Sequence, residues 1–159
     1  MAQPIPSSLA PTGVAITASR PIRVMIVDDS ITARTVLSRI VEGEEDMAVA
    51  ATANSAEQAL QRLSQEQVDV ILLDLEMPGM GGLAALPDIL KAARGAKVMV
   101  VSSLTLDGAE PTVAALSLGA ADTLPKPAVG QFTAPYRQGM LAKIRALGLS
   151  NETVWGAAQ

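Results

Sequence analysis

An unbroken apolar stretch that ends at a carboxylate constrains this sequence more than any other feature. Residues 70–73 are all Val, Ile or Leu, Asp74 follows them, and residues 75–82 contain one proline and three glycines. A short aliphatic run of this kind is typical of a strand that is covered on both faces, as in the parallel sheet of an α/β protein. The proline and the glycines end the strand. Asp74 is therefore predicted to lie at the carboxyl end of a buried strand, where open α/β sheets bind their ligands.

Strands and helices are predicted to alternate on both sides of this stretch. Ser30 and Ser55 are expected to be the N-caps of the first two helices. In the fourth helix, at about residues 109–118, Val113 and Leu116 are expected to face inward. The predicted strands are residues 22–27, 47–52, 68–73, 97–101 and 121–124. The expected buried face of the last helix consists of Met140, Ile144 and Leu147, with Leu141 beside them.

This alternation predicts an α/β fold in which right-handed crossovers build a parallel sheet with helices on both faces. The natural small solution is a flavodoxin-like (βα)5 three-layer sandwich, with a five-stranded parallel sheet in the strand order 2-1-3-4-5. We expect this domain to span residues 21–148. Residues 1–20 are expected to be a disordered tail, and residues 149–159 a tail or linker.

The composition excludes several classes of function. The 159 residues include no Cys and no His, which rules out disulfides, thiolate or imidazole metal ligands and a Ser-His-Asp triad. A net charge of −4, with one Trp, one Tyr and one Phe, argues against binding to nucleic acid. No apolar run approaches the roughly 20 residues of a membrane span, and no secretory signal is recognisable. We therefore expect a cytoplasmic protein without membrane insertion.

Polar side chains follow four of the five predicted strands. Asp28 and Asp29 end the first strand and Asp74 the third, while Ser102 and Lys126 follow the fourth and the fifth. The carboxyl ends of parallel strands meet at one edge of the sheet, so these five side chains are expected to converge. Each alone has an ordinary interpretation as a turn or helix-capping residue, but their joint occurrence favours a site.

The predicted cluster of carboxylates needs a positive partner. Two carboxylates about 4 Å apart repel each other by roughly 4 kcal/mol at an effective dielectric constant of about 20. A set of oxygen ligands without His or Cys suits a hard cation, first of all Mg²⁺. With the Lys126 ammonium and the Ser102 hydroxyl beside it, Asp74 is suited to form an acyl phosphate, because the positive charges would neutralise the transferring phosphoryl group.

The chain resembles the receiver domain of two-component response regulators over about residues 21–148, and in particular the receiver of the chemotaxis protein-glutamate methylesterases. The resemblance rests on Asp28-Asp29-Ser30, Asp74 to Met80, Ser102 to Thr105, Gly119 to Asp122 and Lys126-Pro127. The methylesterase subgroup is indicated mainly by Leu75 to Pro78, by Ser102 to Thr105 and by Gly108-Ala109-Glu110.

The resemblance implies which residues accept the phosphoryl group and hold the metal. Asp74 would be the phosphoacceptor. Asp28 and Asp29 would hold Mg²⁺ together with Asp74, and the backbone carbonyl of Glu76 would complete the metal site.

The resemblance also implies how the phosphoryl group is held. The Ser102 hydroxyl would contact a phosphoryl oxygen, and the Lys126 ammonium would pair with the phosphate. The peptide bond between Lys126 and Pro127 is expected to be cis. Two positions depart from the family pattern. Thr123 stands where many receivers carry an aromatic switch residue, and Gly81 stands where an Asp is usual. No aromatic reporter is therefore expected near the site.

The partners and the output that the resemblance implies lie outside this sequence. A histidine kinase would supply the phosphoryl group, and phosphorylation would regulate a methylesterase output domain in cis or in trans. The sequence has no G-x-S-x-G nucleophile elbow, so it is expected to have no hydrolase activity of its own. Three alternatives stay open: a stand-alone response regulator that acts by protein binding, a binding-only pseudo-receiver, and an aspartate-nucleophile phosphohydrolase of the haloacid-dehalogenase type.

Overall fold

The computed structural model describes residues 20–103, 106–128 and 130–158. Within these residues, five strands alternate with five helices. The strands are β1 (Ile22–Val27), β2 (Met47–Ala53), β3 (Val70–Asp74), β4 (Lys97–Ser102) and β5 (Asp122–Pro125). The helices are α1 (Ile31–Glu42), α2 (Ala56–Leu63), α3 (Gly82–Ala92), α4 (Leu106–Leu118) and α5 (Ala134–Ala158).

The five strands form one parallel sheet in the order β2-β1-β3-β4-β5, which confirms the predicted topology. β3 lies at the centre and all five of its residues are buried. Its side chains alternate between the two faces, as the pleat requires. Ile71 and Leu73 pack in the core that α2, α3 and α4 cover, while Val70 and Leu72 pack in the core beneath α1 and α5. The domain is therefore the expected three-layer sandwich.

The two predicted N-caps are confirmed. The Ser30 hydroxyl accepts a hydrogen bond of 3.2 Å from the amide of Ala33, and the Ser55 hydroxyl accepts one of 3.1 Å from the amide of Gln58. Such bonds satisfy amide groups that the first turn of a helix leaves without an internal partner. They fix the points at which α1 and α2 begin.

The predicted inner face of α4 is wrong. Val113 is 64% exposed and Leu116 is 44% exposed, whereas Ala115 is fully buried. Residues 113–118 carry apolar side chains on nearly every side of the helix, so hydrophobic periodicity does not select one face. The helix instead packs on the sheet through the small side chain of Ala115.

The last helix is longer than the sequence pattern indicates. Met140, Leu141 and Ile144 are buried as predicted, but the helical backbone continues past Gly148 to Ala158. The predicted tail at residues 1–20 lies outside the described residues except for Arg20. The domain boundaries stay predictions. In the part of the chain that the structure describes, none of the helices combines the length and the apolar character that a membrane span needs.

A charged pair holds the chain at the amino end of β1. Two guanidinium nitrogens of Arg20 each lie 2.9 Å from a carboxylate oxygen of Asp69, which is buried just before β3. Asp69 also accepts a hydrogen bond of 2.9 Å from the amide of Arg23. This bidentate pair lies at the opposite edge of the sheet from Asp74, because β1 and β3 run parallel.

Candidate functional site

The carboxyl ends of β1 and β3 bring three aspartates together. Val27 pairs with Leu73 in the sheet, so the next residues along each chain, Asp28 and Asp74, lie side by side. Both are buried, whereas Asp29 is exposed. One carboxylate oxygen from each of Asp28, Asp29 and Asp74 lies within 4.8 Å of the other two. The predicted acidic cluster is therefore present.

Backbone amides orient the two buried carboxylates. The amide of Ser30 donates a hydrogen bond of 2.8 Å to Oδ1 of Asp28, and the amide of Glu76 donates one of 2.9 Å to Oδ1 of Asp74. Each bond spans two residues, the local pattern by which Asp forms its own turn. Arg34, which the sequence pattern did not single out, donates a hydrogen bond of 2.7 Å to the carbonyl oxygen of Asp28.

Lys126 supplies the positive charge of the cluster. Its Nζ lies 2.9 Å from Oδ2 of Asp74 and 3.5 Å from Oδ2 of Asp28. Burial acts to lower the pKa of Lys126, but the hydrogen bond to Asp74 and the charges of both carboxylates outweigh it, so the pKa is raised. The side chain therefore stays an ammonium group at neutral pH.

The pKa of Asp28 is raised in the cluster. Burial and the neighbouring charge of Asp74 raise its pKa to about 6, although the amide of Ser30 and the ammonium of Lys126 act in the opposite direction. A raised carboxyl pKa means that the folded protein without a bound cation holds the ionised form at a free-energy penalty. A cation placed among the three carboxylates would remove that penalty.

Ser102 and Glu76 both lie beside the cluster, but Ser102 is buried and the Glu76 side chain is exposed. Ser102 is buried at the end of β4, in the position after Val101, which pairs with Asp74. The Glu76 side chain is exposed and accepts a hydrogen bond of 3.0 Å from the amide of Ser103. The carboxylate of Glu76 is thus not one of the three clustered carboxylates, and the prediction that its backbone carbonyl binds metal stays a prediction.

The peptide bond between Lys126 and Pro127 is not cis, so this prediction is wrong. The two isomers of a bond before proline differ by only about 0.5–1 kcal/mol in favour of trans, and the local sequence therefore does not decide between them.

Gly82 allows the backbone of α3 to approach the site closely. A Cβ atom at this position would collide with the carbonyl oxygen of Asp74 and lie 2.9 Å from the Cα of Leu75. No side chain fits there without a shift of the backbone that carries Asp74. The glycine-rich loop thus has a steric role as well as ending β3.

Two aromatic residues that the sequence analysis missed lie close to Lys126. The Tyr136 hydroxyl donates a hydrogen bond of 2.8 Å to the carbonyl oxygen of Pro125, the residue before Lys126. Its ring packs edge-to-face on Phe132, with 5.5 Å between the centroids. Phe132 also lines a small cleft of about 180 Å³ beside Lys126. The expectation that no aromatic reporter lies near the site is wrong for Tyr136, because α5 folds back over the segment that follows β5.

Comparison with known proteins identifies the family. Residues 24–133 match the family described as "Response regulator receiver domain". The chain belongs to this receiver family. The match leaves the phosphohydrolase alternative without support.

The relatives of this receiver domain include chemotaxis proteins. A protein-glutamate methylesterase/protein-glutamine glutaminase of Paramagnetospirillum magneticum is 44% identical over 130 residues, which are 80% of this chain and 34% of the relative. The receiver spans about a third of the length of the curated relatives it matches.

Solved structures of receiver domains resemble this chain, and one of them belongs to the same subgroup. The response regulator domain of Thermotoga maritima CheB is 40% identical, with a TM-score of 0.70 over 80% of this chain and 96% of that one. A structure of the P1 domain of CheA3 in complex with CheY6 from R. sphaeroides is 32% identical, with a TM-score of 0.65 over 80% of this chain and 98% of that one. The likeness to the CheB domain, with that to the curated methylesterases, confirms the predicted resemblance to the methylesterase receivers.

Proposed function

We propose that Asp74 accepts a phosphoryl group from a histidine kinase, and that the phosphorylated domain regulates a methylesterase output domain. The proposal is carried by one observation: the buried Asp74 carboxylate lies 2.9 Å from Lys126 Nζ and within a cluster of two further carboxylates. In the reaction, an Asp74 oxygen attacks the phosphorus of a phosphohistidine. The new P–O bond forms as the P–N bond breaks, and the histidine leaves with the electron pair and takes up a proton.

Mg²⁺ is the metal that this cluster fits, since every side-chain donor is a carboxylate oxygen and two of the three carboxylates are buried. Asp28, Asp29 and Asp74 would hold the ion, with the backbone carbonyl of Glu76 as a further ligand. When bound, Mg²⁺ neutralises negative charge on the phosphoryl group and on the acceptor. Asp29→Ala should therefore weaken Mg²⁺ binding, measured by calorimetry, more than Lys126→Ala does.

Lys126 and Ser102 are the residues that would contact the phosphoryl group itself. The Lys126 ammonium already contacts Asp74, so it is placed to follow the negative charge when a phosphoryl group is added to that carboxylate. Ser102 ends the neighbouring strand and would donate its hydroxyl to a phosphoryl oxygen. Neither residue gains or loses a proton in this assignment, since both stabilise charge by position alone.

The comparisons support both partners in the proposal. The solved complex of a CheA3 P1 domain with CheY6 supports a histidine kinase as the donor. The names of the curated relatives support a methylesterase as the output, either on the same chain or on a separate one. A cytoplasmic location is part of the proposal, because the kinase and the receiver must meet in one compartment.

Asp74→Asn tests the phosphoacceptor. The wild-type protein should gain one phosphoryl group from acetyl phosphate in the presence of Mg²⁺, measured by intact-protein mass spectrometry, and Asp74→Asn should gain none. Asp88→Asn is the matched control, since Asp88 is an exposed carboxylate on α3. Uptake by Asp74→Asn at the wild-type rate would refute the assignment. Turnover without an adduct would indicate a phosphohydrolase, and no reaction at all a pseudo-receiver.

Binding in trans tests the output. The receiver should bind a separately expressed methylesterase domain of a relative and inhibit it, and beryllofluoride should weaken the binding by mimicking phosphorylation of Asp74. Such regulation needs only a few kcal/mol of difference between the two receiver states. Equal affinities with and without beryllofluoride, measured by calorimetry, would favour a stand-alone response regulator.

A further inference from the structure

The peptide unit between Pro125 and Lys126 is hydrogen-bonded at both of its ends. Its carbonyl oxygen accepts a hydrogen bond of 2.8 Å from the Tyr136 hydroxyl of α5. Its N–H group donates one of 2.9 Å to the carbonyl oxygen of Ser102 at the end of β4. Because a peptide unit is planar and rigid, two bonds at opposite ends fix its orientation. They therefore fix the position of the Lys126 Cα atom, from which the side chain extends to Asp74.

The sequence around Lys126 leaves few other ways to hold this segment. Pro125 and Pro127 have no N–H group, so Lys126 provides the one backbone donor of the three residues. With that donor already bonded to Ser102, a second backbone anchor must be a carbonyl group. The bond from Tyr136 to the carbonyl of Pro125 is such an anchor, and it lies one residue from the ammonium-bearing side chain that contacts Asp74.

Tyr136 is itself held in place. Its amide donates a hydrogen bond of 3.3 Å to the Thr133 hydroxyl, which sets the first turn of α5, and its ring packs edge-to-face on Phe132. Burial raises the pKa of Tyr136 above its ordinary value of 10.0, so the hydroxyl stays protonated and available as a donor. The hydroxyl is thus aimed at the Pro125 carbonyl by a fixed helix turn rather than by a mobile side chain.

We infer that Tyr136 is a positioning residue of the phosphoacceptor site, which acts on Lys126 through the carbonyl of Pro125 and connects the site to α5. The inference rests on the proposed function, in which Lys126 pairs with the phosphoryl group on Asp74. It gives α5 an indirect part in that reaction, through a hydroxyl that does not touch the reacting atoms.

Tyr136→Phe removes the hydroxyl and keeps the ring. With acetyl phosphate and Mg²⁺, we expect this variant to be phosphorylated about fivefold more slowly than the wild type, the effect of losing one ordinary hydrogen bond. Lys143→Met is the matched control. Lys143 also reaches from α5 to a carbonyl of β5, at 2.6 Å from the oxygen of Thr123, but that peptide unit is not adjacent to Lys126. This variant should keep the wild-type rate.

Two further readouts separate positioning from a loss of stability. In a Lys126→Gln background, Tyr136→Phe should cause no additional slowing, because its effect passes through Lys126. Tyr136 is also the one tyrosine of the chain, so 3-fluorotyrosine gives a single ¹⁹F resonance. That resonance should shift when beryllofluoride and Mg²⁺ are added to the otherwise unaltered protein, and should shift less in Lys126→Gln.

The outcomes distinguish this inference from the proposed function. A wild-type protein that takes no phosphate defeats the proposed function. A wild type that is phosphorylated, with Tyr136→Phe at the same rate or equally slowed in the Lys126→Gln background, defeats the inference alone. If Tyr136→Phe does not fold, the fluorotyrosine resonance decides: a shift with beryllofluoride supports the inference, and an unchanged resonance overturns it.

Discussion

Asp28 and Asp29 are neighbours in sequence, but only Asp28 is buried among other charges. Because its pKa rises from 3.8 to about 6 on folding, the folded protein binds a proton at Asp28 more tightly than the unfolded chain does. The metal-free protein should therefore lose stability as the pH rises from 3.8 to about 6, and this loss is complete above that range. Above pH 6 the folded, metal-free protein thus holds the ionised Asp28 carboxylate at a free-energy penalty.

Asp28→Asn should stabilise the metal-free protein at neutral pH. A shift of about two pKa units corresponds to roughly 3 kcal/mol, which is an upper limit because the substitution also removes the contact with Lys126. The gain should shrink as the pH falls and vanish below 3.8, where the aspartate is protonated in both states. Urea unfolding in EDTA across this pH range measures it. Asp29→Asn, an exposed change, is the control, and a gain that does not depend on pH would contradict the explanation.

Gly79 and Gly82, in the segment after Asp74, should respond differently to substitution by alanine. Gly79 has a positive φ of 73° but open space around it, so Gly79→Ala should cost about 1 kcal/mol in free energy of unfolding. Gly82→Ala collides with the Asp74 backbone and should cost about 3 kcal/mol. It should also slow phosphorylation by acetyl phosphate, since Asp74 must move. Equal effects of the two substitutions on stability and rate would argue against this steric role.

Among the elements, α4 has apolar residues on several sides, so its sequence does not show which side is buried. Ala115 is fully buried while Val113 and Leu116 are exposed, so the three positions should respond differently to substitution. Val113→Ser and Leu116→Ser should change the free energy of unfolding by no more than about 0.5 kcal/mol. Ala115→Leu should lower it by about 1–3 kcal/mol, because the larger side chain has to displace β4 or α4. Urea unfolding of the three variants decides, and a large loss from Leu116→Ser would contradict the observed face.

The strands and the caps could be predicted because their signals are local. In a chain where strands and helices alternate, the short aliphatic run before Asp74 is compatible only with a buried strand. Ser30 caps a helix through the amide of a residue only three positions away. The converging aspartates followed from topology alone, since parallel strands end at one edge.

Other features depend on contacts between separate elements, which hydrophobic periodicity does not report. The position of Tyr136 beside Pro125 is set by how α5 returns over β5. Arg34 is a helix residue whose contact with the Asp28 carbonyl spans six positions. Thr133, whose hydroxyl caps the first turn of α5, marks where that helix begins. It does not indicate that a residue of this turn contacts Pro125.

For the molecule as a whole, Arg145 ties α5 to the connection between α1 and β2. Its guanidinium lies 2.7 Å from Asp46 and 2.6 Å from Glu44. The hydrogen bond from Arg145 lowers the pKa of Asp46, so the pair stabilises the fold above the ordinary carboxyl pKa. This stabilisation is lost as the pH falls through the lowered pKa of Asp46, the opposite direction to the effect of Asp28.

Arg145→Ala should lower the melting temperature slightly at neutral pH and low salt. All three side chains are more than a third exposed, so water and ions screen them and the contribution is about 0.5–1 kcal/mol. The difference from the wild type should shrink in high salt and at acid pH. Thermal unfolding at two salt concentrations measures it, with Lys143→Met as a comparison on the same helix. A difference that grows with salt would contradict an electrostatic origin.

The pair of Arg20 with Asp69 has a practical consequence for experiments at surfaces. It fixes the chain at the amino edge of the sheet, and the nine residues from Arg20 to Asp28, most of them in β1, span roughly 25 Å when extended. A linker attached directly before Arg20 therefore exits from the side of the domain that lies opposite the acidic cluster. On a sensor chip or a bead, such an attachment would present Asp74 to the solution, and a pull on the linker would load the guanidinium–carboxylate pair before it reached the phosphoacceptor.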